Sequence, residues 1–354
     1  MRRHPTIEMP ASLRTMAARL AFALGAAFAL PGAGAGAQDG APAPVSLAIV
    51  GDVMLAGGPG RAIARGHDPL GPFGAILAAA DVRVANLECV VASTGRAEAD
   101  KPWTFRAHPR SVAVLKRHLD AVSLANNHSG DYGPRAFGQM LGLLGRAGIG
   151  VFGGGHDLAE AHAPLIVERK GLRIALLGYD EFFPRSFEAD TDKPGVAWSE
   201  DEQVRRDIAA ARTVHRADLV IPFMHWGIEH APLADARQRT LARLMIDAGA
   251  DAVIGSHPHV TQDVETYRGK PIVYSLGNFV FDGFSDADNN TGWLLRLELD
   301  RDGVRSWNTV IARIDGRGIP HPRPDRPAPC WERGAPQAHM CRAAAFSGKR
   351  PRHS

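Results

Sequence analysis

The chain has 354 residues, of which 45% are hydrophobic and 22% charged, so it can bury a large core and is too polar to be built from membrane spans. Its formal charge of +3 is unevenly spread: residues 1–37 carry four Arg against one Glu, residues 316–354 carry eight Lys and Arg against two acids, and residues 38–315 are left at about −6. An acidic body argues against nucleic acid as a partner, and three cysteines with no Cys-x-x-Cys pair argue against a cysteine-built zinc or redox site.

In chain order, Arg2, Arg3, Arg14 and Arg19 precede an apolar run over residues 20–30, which Pro31 ends; Ala35-Gly36-Ala37 supplies small residues for cleavage. This pattern predicts a secretory signal peptide over 1–37 and an exported protein, periplasmic or extracellular. The run is shorter than the ~20 residues of a membrane-spanning helix; an uncleaved anchor is the minority alternative. Residues 38–44 read as a flexible lead-in to one domain spanning 45–315.

From residue 45 to about 180, β-like and helical stretches alternate. Helices are predicted at 72–80, 109–119 and 134–147, each opening with proline near its first turn, where a missing N–H costs little. Gly148 is a stop for the last. Strands are predicted at 165–167 and 172–177. Residues 180–198 read as an irregular lid or rim loop with Phe182, Phe183 and Phe187. Ser199 with Glu202 forms a capping-box pattern for a helix to about 217, and a second helix runs from about 233 to 248. Hairpins are predicted over 264–281, turning near Arg268-Gly269, and over 293–314, turning at Arg301-Asp302-Gly303. Beyond Gly316 the basic, Pro- and Arg-rich sequence predicts a disordered tail. Cys330 and Cys341 within it are open to either a disulfide or two free thiols. Cys89 reads as a small buried apolar residue.

Five polar clusters each follow an apolar β-like run: Gly51-Asp52, Asn86-Leu87-Glu88, Asn126-Asn127-His128, His225-Trp226-Gly227-Ile228-Glu229 and His257-Pro258-His259. The runs resemble strands of a buried parallel sheet, and such sheets bind ligands beyond the strands' carboxyl ends. Carboxylate, amide and imidazole groups are donors for a hard or borderline divalent ion. Each residue also has a plainer reading. Asp52 is a cation ligand or a turn residue. Glu88, two along from Asn86 and on the same side of an extended chain, is a ligand or a surface carboxylate. Asn127 offers an amide oxygen to metal while His128 faces substrate, or His128 is a satisfied core histidine. Asp131 orients His128 or belongs to a turn. His257 and His259, held extended or turned around Pro258, point at one ion or at two, with His225 as a third imidazole. Glu229 bonds a ligating histidine or is solvated. His67, His108, His118, His156, His162, His215 and His230 lack a strand-end setting and read as surface or packing residues. No G-x-S-x-G elbow, P-loop or dinucleotide fingerprint occurs.

At these residues the chain resembles the CapA family of poly-γ-glutamate capsule-synthesis proteins. The matching segments are Gly51-Asp52-Val53-Met54, Ala85-Asn86-Leu87-Glu88, Ser123-Leu124-Ala125-Asn126-Asn127-His128 and His225-Trp226-Gly227-Ile228-Glu229. Gly255-Ser256-His257-Pro258-His259-Val260-Thr261-Gln262 and Tyr274-Ser275-Leu276-Gly277-Asn278-Phe279 complete the set, which spans roughly 45–314. The resemblance implies an α/β fold of the calcineurin-like metallophosphoesterase type, a β-sandwich flanked by helices. It also implies one or two divalent ions (Mn, Fe or Zn) held by Asp52, Glu88, Asn127, His225, His257 and His259. His128 would be the substrate-facing acid or charge stabiliser. Two positions depart from ordinary metallophosphoesterases and agree with the CapA branch: Met54 stands where the usual Asp-x-His has its histidine, and Glu88 where a bridging Asp is usual. The activity implied is metal-dependent hydrolysis of a phosphoester or amide in an anionic polymer or other cell-envelope substrate. The alternative is a non-catalytic metal- or polymer-binding component of a membrane synthesis or export complex.

Overall fold

Leu47-Ala48-Ile49-Val50 explains the architecture in miniature. Leu47 and Ile49 face one core and Ala48 and Val50 another, all buried, so this strand lies inside a layered molecule. A computed structural model describes residues 43–342. The leader expected over 1–37, and most of the lead-in after it, lie outside the described residues.

Two-residue strands aside, the order begins with β1 (Val45–Val53), α1 (Gly57–Ala64), α2 (Gly74–Ala78), β2 (Val82–Leu87), α3 (Val112–His118), β3 (Ala121–Ser123), α4 (Gly133–Arg146) and β4 (Gly150–Phe152). It continues with α5 (Leu158–His162), β5 (Leu165–Arg169), β6 (Leu172–Asp180), α6 (Asp201–Thr213), β7 (Leu219–His225), α7 (Ala236–Asp247), β8 (Val253–Ser256), β9 (Val264–Tyr267) and β10 (Lys270–Val273). It closes with β11 (Asn278–Val280), β12 (Thr291–Asp300), β13 (Gly303–Ile314), β14 (Pro320–Arg323), β15 (Pro327–Glu332) and β16 (His339–Arg342).

These strands make two main sheets. The first runs β16-β15-β13-β12-β1-β2-β3-β4, with β11 also on β1 and β14 also on β13. The second runs β9-β10-β8-β7-β6-β5. In each, the site-bearing strands (β1 to β3, and β6 to β8) are parallel neighbours. The sheets pack face to face over Leu47, Ile49, Val84, Ile174, Ile221 and Leu297. Each such side chain contributes about 1.5–3 kcal/mol by leaving water. Helix α4 covers the outer face of the first sheet with Phe137, Met140 and Leu144, spaced three and four apart along one stripe. Helices α6 and α7 cover the second with Val204, Ile208, Leu241 and Met245. The molecule is thus an α/β sandwich of two sheets flanked by helices, as expected.

Several local expectations are corrected. Residues 320–342 are not a tail: β14, β15 and β16 extend the first sheet, Trp331 is buried in the inter-sheet core, and a Cys330–Cys341 disulfide ties β15 to β16. The ordered domain therefore runs past 315. Pro327 and Pro329 within β15, and Arg326 and Arg333 flanking it, hid a strand that buries Ala328 and Cys330 on one face and Trp331 on the other. The Ser199–Glu202 capping box is absent: the Ser199 hydroxyl donates to Glu181 Oε2 at 2.8 Å, Glu200 is the N-cap, and α6 ends at Thr213. A capping box does start α7, where Asp235 and Gln238 satisfy each other's backbone N–H. The 264–281 hairpin ends at Val273; Asn278–Val280 crosses to the other sheet and runs parallel to β1. Helices α1 and α5 were not anticipated.

Candidate metal centre

The inter-sheet faces turn polar at one rim. Alternate residues of β2 go Val82, Val84, Asn86, those of β6 go Ile174, Leu176, Gly178, Asp180, and those of β7 go Leu219, Ile221, Phe223, His225. The same rows that bury apolar side chains therefore end in amide, carboxylate and imidazole. Asp52 reaches this rim because the β1–β2 register slips between Val50 and Asp52. A Cβ at Gly51 would overlap the Gly277 carbonyl. Glycine there lets β11 lie against β1, and the Asp52 N–H donates to that carbonyl at 3.1 Å.

Asp52 and Glu88 are fully buried. Asp52 accepts from Asn86 Nδ2 at 2.8 Å, and its Oδ2 lies 3.7 Å from His259 Nδ1. Glu88 Oε1 lies 3.8 Å from His259 Nε2, 3.9 Å from His225 Nε2 and 4.0 Å from His128 Nε2. His225 Nε2 is also 2.9 Å from Asn127 Oδ1 and 3.1 Å from His257 Nδ1. All six expected ligands and His128 thus meet in one cluster. Three of them, Asp52, Glu88 and His259, can offer one atom each within 4.8 Å of one another.

The turn carrying His257 and His259 is not extended. Their φ values are +98° and +59°, the left-handed region that non-glycine residues avoid at a cost of about 1–3 kcal/mol. The turn sets the His259 imidazole beside both carboxylates and His257 Nδ1 against His225 Nε2.

Both oxygens of Glu88 and Nε2 of His257 are buried without a hydrogen-bond partner among the described residues. An unpaired buried charge costs several kcal/mol, and donors spaced roughly 3–4 Å apart suit a common ion about 2.1 Å from each. Burial pushes the pKa of Glu88 well above its ordinary value, with the neighbouring Asp52 adding to it, and pushes Asp52 up too. Burial holds His225, His257 and His259 below theirs, so all three imidazoles are neutral, as ligation requires. The donor set fits a divalent cation.

A ring of amides and carboxylates orients the donors. Asn278 Oδ1 lies 2.9 Å from His259 Nδ1, leaving Nε2 toward Glu88. Asn126 donates to Asn86 Oδ1 and takes the His128 N–H. His128 packs on Phe105 at 4.3 Å, and its Nδ1 lies 2.8 Å from Asp131 Oδ2, so Asp131 does orient it. Lys101 Nζ donates to Asp131 Oδ1 and to the Asn127 carbonyl. Glu229 is exposed, with no hydrogen bond to a histidine among the described residues. Asn126, Asn278, Lys101 and Asp180 escaped sequence reasoning as site residues; only Asn126 and Asn278, inside the quoted segments, left a signal. His230, read as a surface or packing residue, is exposed at the rim with its ring 6.4 Å from that of His259 and Nδ1 2.9 Å from Asn289 Nδ2.

A cavity of about 510 Å³ opens beside His128 and Asn127, walled by the 98–103 and 180–188 loops. Asp180 lines it, and burial pushes its carboxyl up to about 7.

Two packed sheets with a buried carboxylate–imidazole–amide cluster at their shared rim define an α/β sandwich protein suited to holding divalent metal. The chain belongs to the bacterial capsule synthesis protein family PGA_cap, which matches residues 46–283. It is 35% identical over 247 residues to the PGA biosynthesis protein CapA of Bacillus subtilis, covering 67% of this chain and 63% of that one. It is 34% identical over 229 residues to the capsule biosynthesis protein CapA of Bacillus anthracis, covering 64% and 55%. The chain thus spans less than two thirds of either relative's length. Among solved structures, the sulfate thiohydrolase SoxB of Thermus thermophilus aligns at 12% identity and a TM-score of 0.44, over 75% of this chain and 56% of that one. The NAD nucleotidase NadN of Haemophilus influenzae aligns at 11% and 0.38, over 79% and 53%. Likenesses this slight carry no argument. No helix among the described residues is long and apolar enough to cross a membrane.

Proposed function

We propose that this is an exported, metal-dependent hydrolase of capsule or poly-γ-glutamate metabolism, cutting a phosphoester or amide in an envelope polymer. The observation that carries it is Glu88: a buried, unpartnered carboxylate surrounded by three imidazole nitrogens. Asp52, Glu88, Asn127, His225, His257 and His259 would hold one or two divalent ions. Such an ion would supply Lewis-acid activation of water at neutral pH and stabilise charge developing on the substrate. His128 is placed for a different task. Its Nδ1 is held by Asp131 and its Nε2 faces the carboxylate cluster at the cavity's edge. From there it can donate a proton to a leaving group or a hydrogen bond to a developing oxyanion. Asn126 and Asn278 fix the donors, and the buried rim excludes bulk water.

The test is turnover of an aryl phosphodiester by the purified protein with added Mn²⁺, alongside elemental analysis. We expect activity that is lost in Asp52→Ala; full activity in that variant overturns the assignment. Export rests on the apolar run at 20–30 and is checked by sequencing the N-terminus of protein recovered outside the cytoplasm. The family names of the relatives support a second reading, a non-catalytic polymer-binding part of a synthesis or export complex. Absence of turnover with every divalent ion would favour it.

A further inference from the structure

We propose that the cleft beside the histidine cluster is a subsite for a primary ammonium group, so that the site acts at an amine-bearing end of its substrate. The second half of that statement rests on the hydrolase reading above; the subsite itself does not.

Charge is the first reason. Of the cavity's wall residues, Lys101 and Arg185 are the cations, and both are already saturated. Lys101 is bound by Asp131 and the Asn127 carbonyl. Arg185 is bound by Glu188 and Glu200 and lies 4.6 Å over the Trp198 ring. Of the wall's carboxylates, Glu188 and Glu98 pair with those cations, but Asp100, Asp180 and Glu229 do not. Asp100 and Glu229 make no ion pair among the described residues. Asp180 is only 5% exposed; its Oδ1 accepts the Phe182 N–H at 3.1 Å, and its Oδ2 has no hydrogen-bond partner among the described residues. A carboxylate that buried either takes up a proton or is held charged by a cation beside it. Away from His128, an anionic group placed in this cleft would meet unpaired acids and no unengaged Lys or Arg.

Aromatic surface is the second reason. Trp103 and Phe183 line the same cavity and are 71% and 69% exposed, an unusual outlay of apolar area on two opposed loops. Aromatic faces beside carboxylates form a site for a cation that must shed part of its water. The Asp180 backbone is the register partner of His225, so the ammonium site adjoins the proposed metal centre along the same rim.

The experiment is calorimetric binding to the metal-stripped full chain at pH 8, with benzylammonium, benzyl alcohol and benzoate as probes of one shape and three charges. Benzylammonium should bind about tenfold tighter than benzyl alcohol, with benzoate weakest. Asp180→Asn should cut the ammonium preference below about threefold while keeping alcohol binding, and Trp103→Ala should weaken both. Equal binding of the three probes, tightest binding of benzoate, or a preference that survives both Asp180→Asn and Glu229→Gln overturns the subsite. Aryl phosphodiester turnover, measured separately on the Mn²⁺-loaded chain, decides the hydrolase reading without touching this one.

Discussion

Glu88 has neither solvent nor a hydrogen-bond partner among the described residues, and burial holds the His225 and His259 imidazoles beside it neutral. In metal-free protein that carboxylate is a liability. Its folded pKa is raised above the unfolded value, so the folded state prefers it protonated. The contribution is therefore fully favourable below the unfolded carboxylate range and is lost as pH rises through the folded value. We expect Glu88→Gln to raise the melting temperature of EDTA-treated protein at pH 8 by about 3 °C or more. The advantage over the native chain should shrink as pH falls toward the ordinary carboxylate range. Melting curves of the two proteins across pH check this, and an equal gap at every pH would contradict it. The same variant should carry less metal, which elemental analysis reads.

Among the elements, β1 and β11 set the precision of the site. Asn278 begins β11, accepts no strain of its own, and holds His259; it stands there only because β1 has no side chain at position 51. Gly51→Ala should displace β11, destabilise the fold by about 1–3 kcal/mol as overpacking does, and reduce metal content more than truncating an outer core residue of similar cost. Retained metal in a folded Gly51→Ala protein would refute this coupling. These features also mark where sequence reasoning stops. Helix α4 was legible because Pro134 opens it, Gly148 ends it and its apolar stripe is regular. The β1 register slip and the left-handed turns at His257 and His259 were not, because no residue type there demands them. Proline after His257 left extended and turned backbone both open, and tertiary contacts select the turn. Ser199 and Glu202 had the right spacing for a cap, but Glu181 offered the hydroxyl a better acceptor.

At the scale of the molecule, the proposed ligands come from both layers: Asp52, Glu88 and Asn127 from the first sheet, His225, His257 and His259 from the second. An ion bound there clamps the sandwich. Adding Mn²⁺ at about 100 times its dissociation constant should stabilise the chain by about 2.7 kcal/mol, seen as a rise in melting temperature that His257→Ala abolishes. No shift on adding any divalent ion would count against the cluster as a metal centre. The cluster's members were legible because apolar runs end in polar groups in both sheets. That the runs belong to two sheets was not, since a strand buried on both faces looks the same in either layer. The 98–103 wall was missed because loops obey no period, and Asp180 because the predicted strand stopped at residue 177, three short of the strand's end.

β1 also sets how the protein can be handled. It travels from Val45, where the Pro44 carbonyl takes a hydrogen bond from Lys170 beyond the end of β5, to Asp52 at the opposite rim, a run of roughly 25 Å. Anything grafted ahead of residue 44, whether an affinity handle or a solid support, therefore joins at the base of the sandwich and leaves the mouth open. A reporter inserted between residues 98 and 103 would plug it.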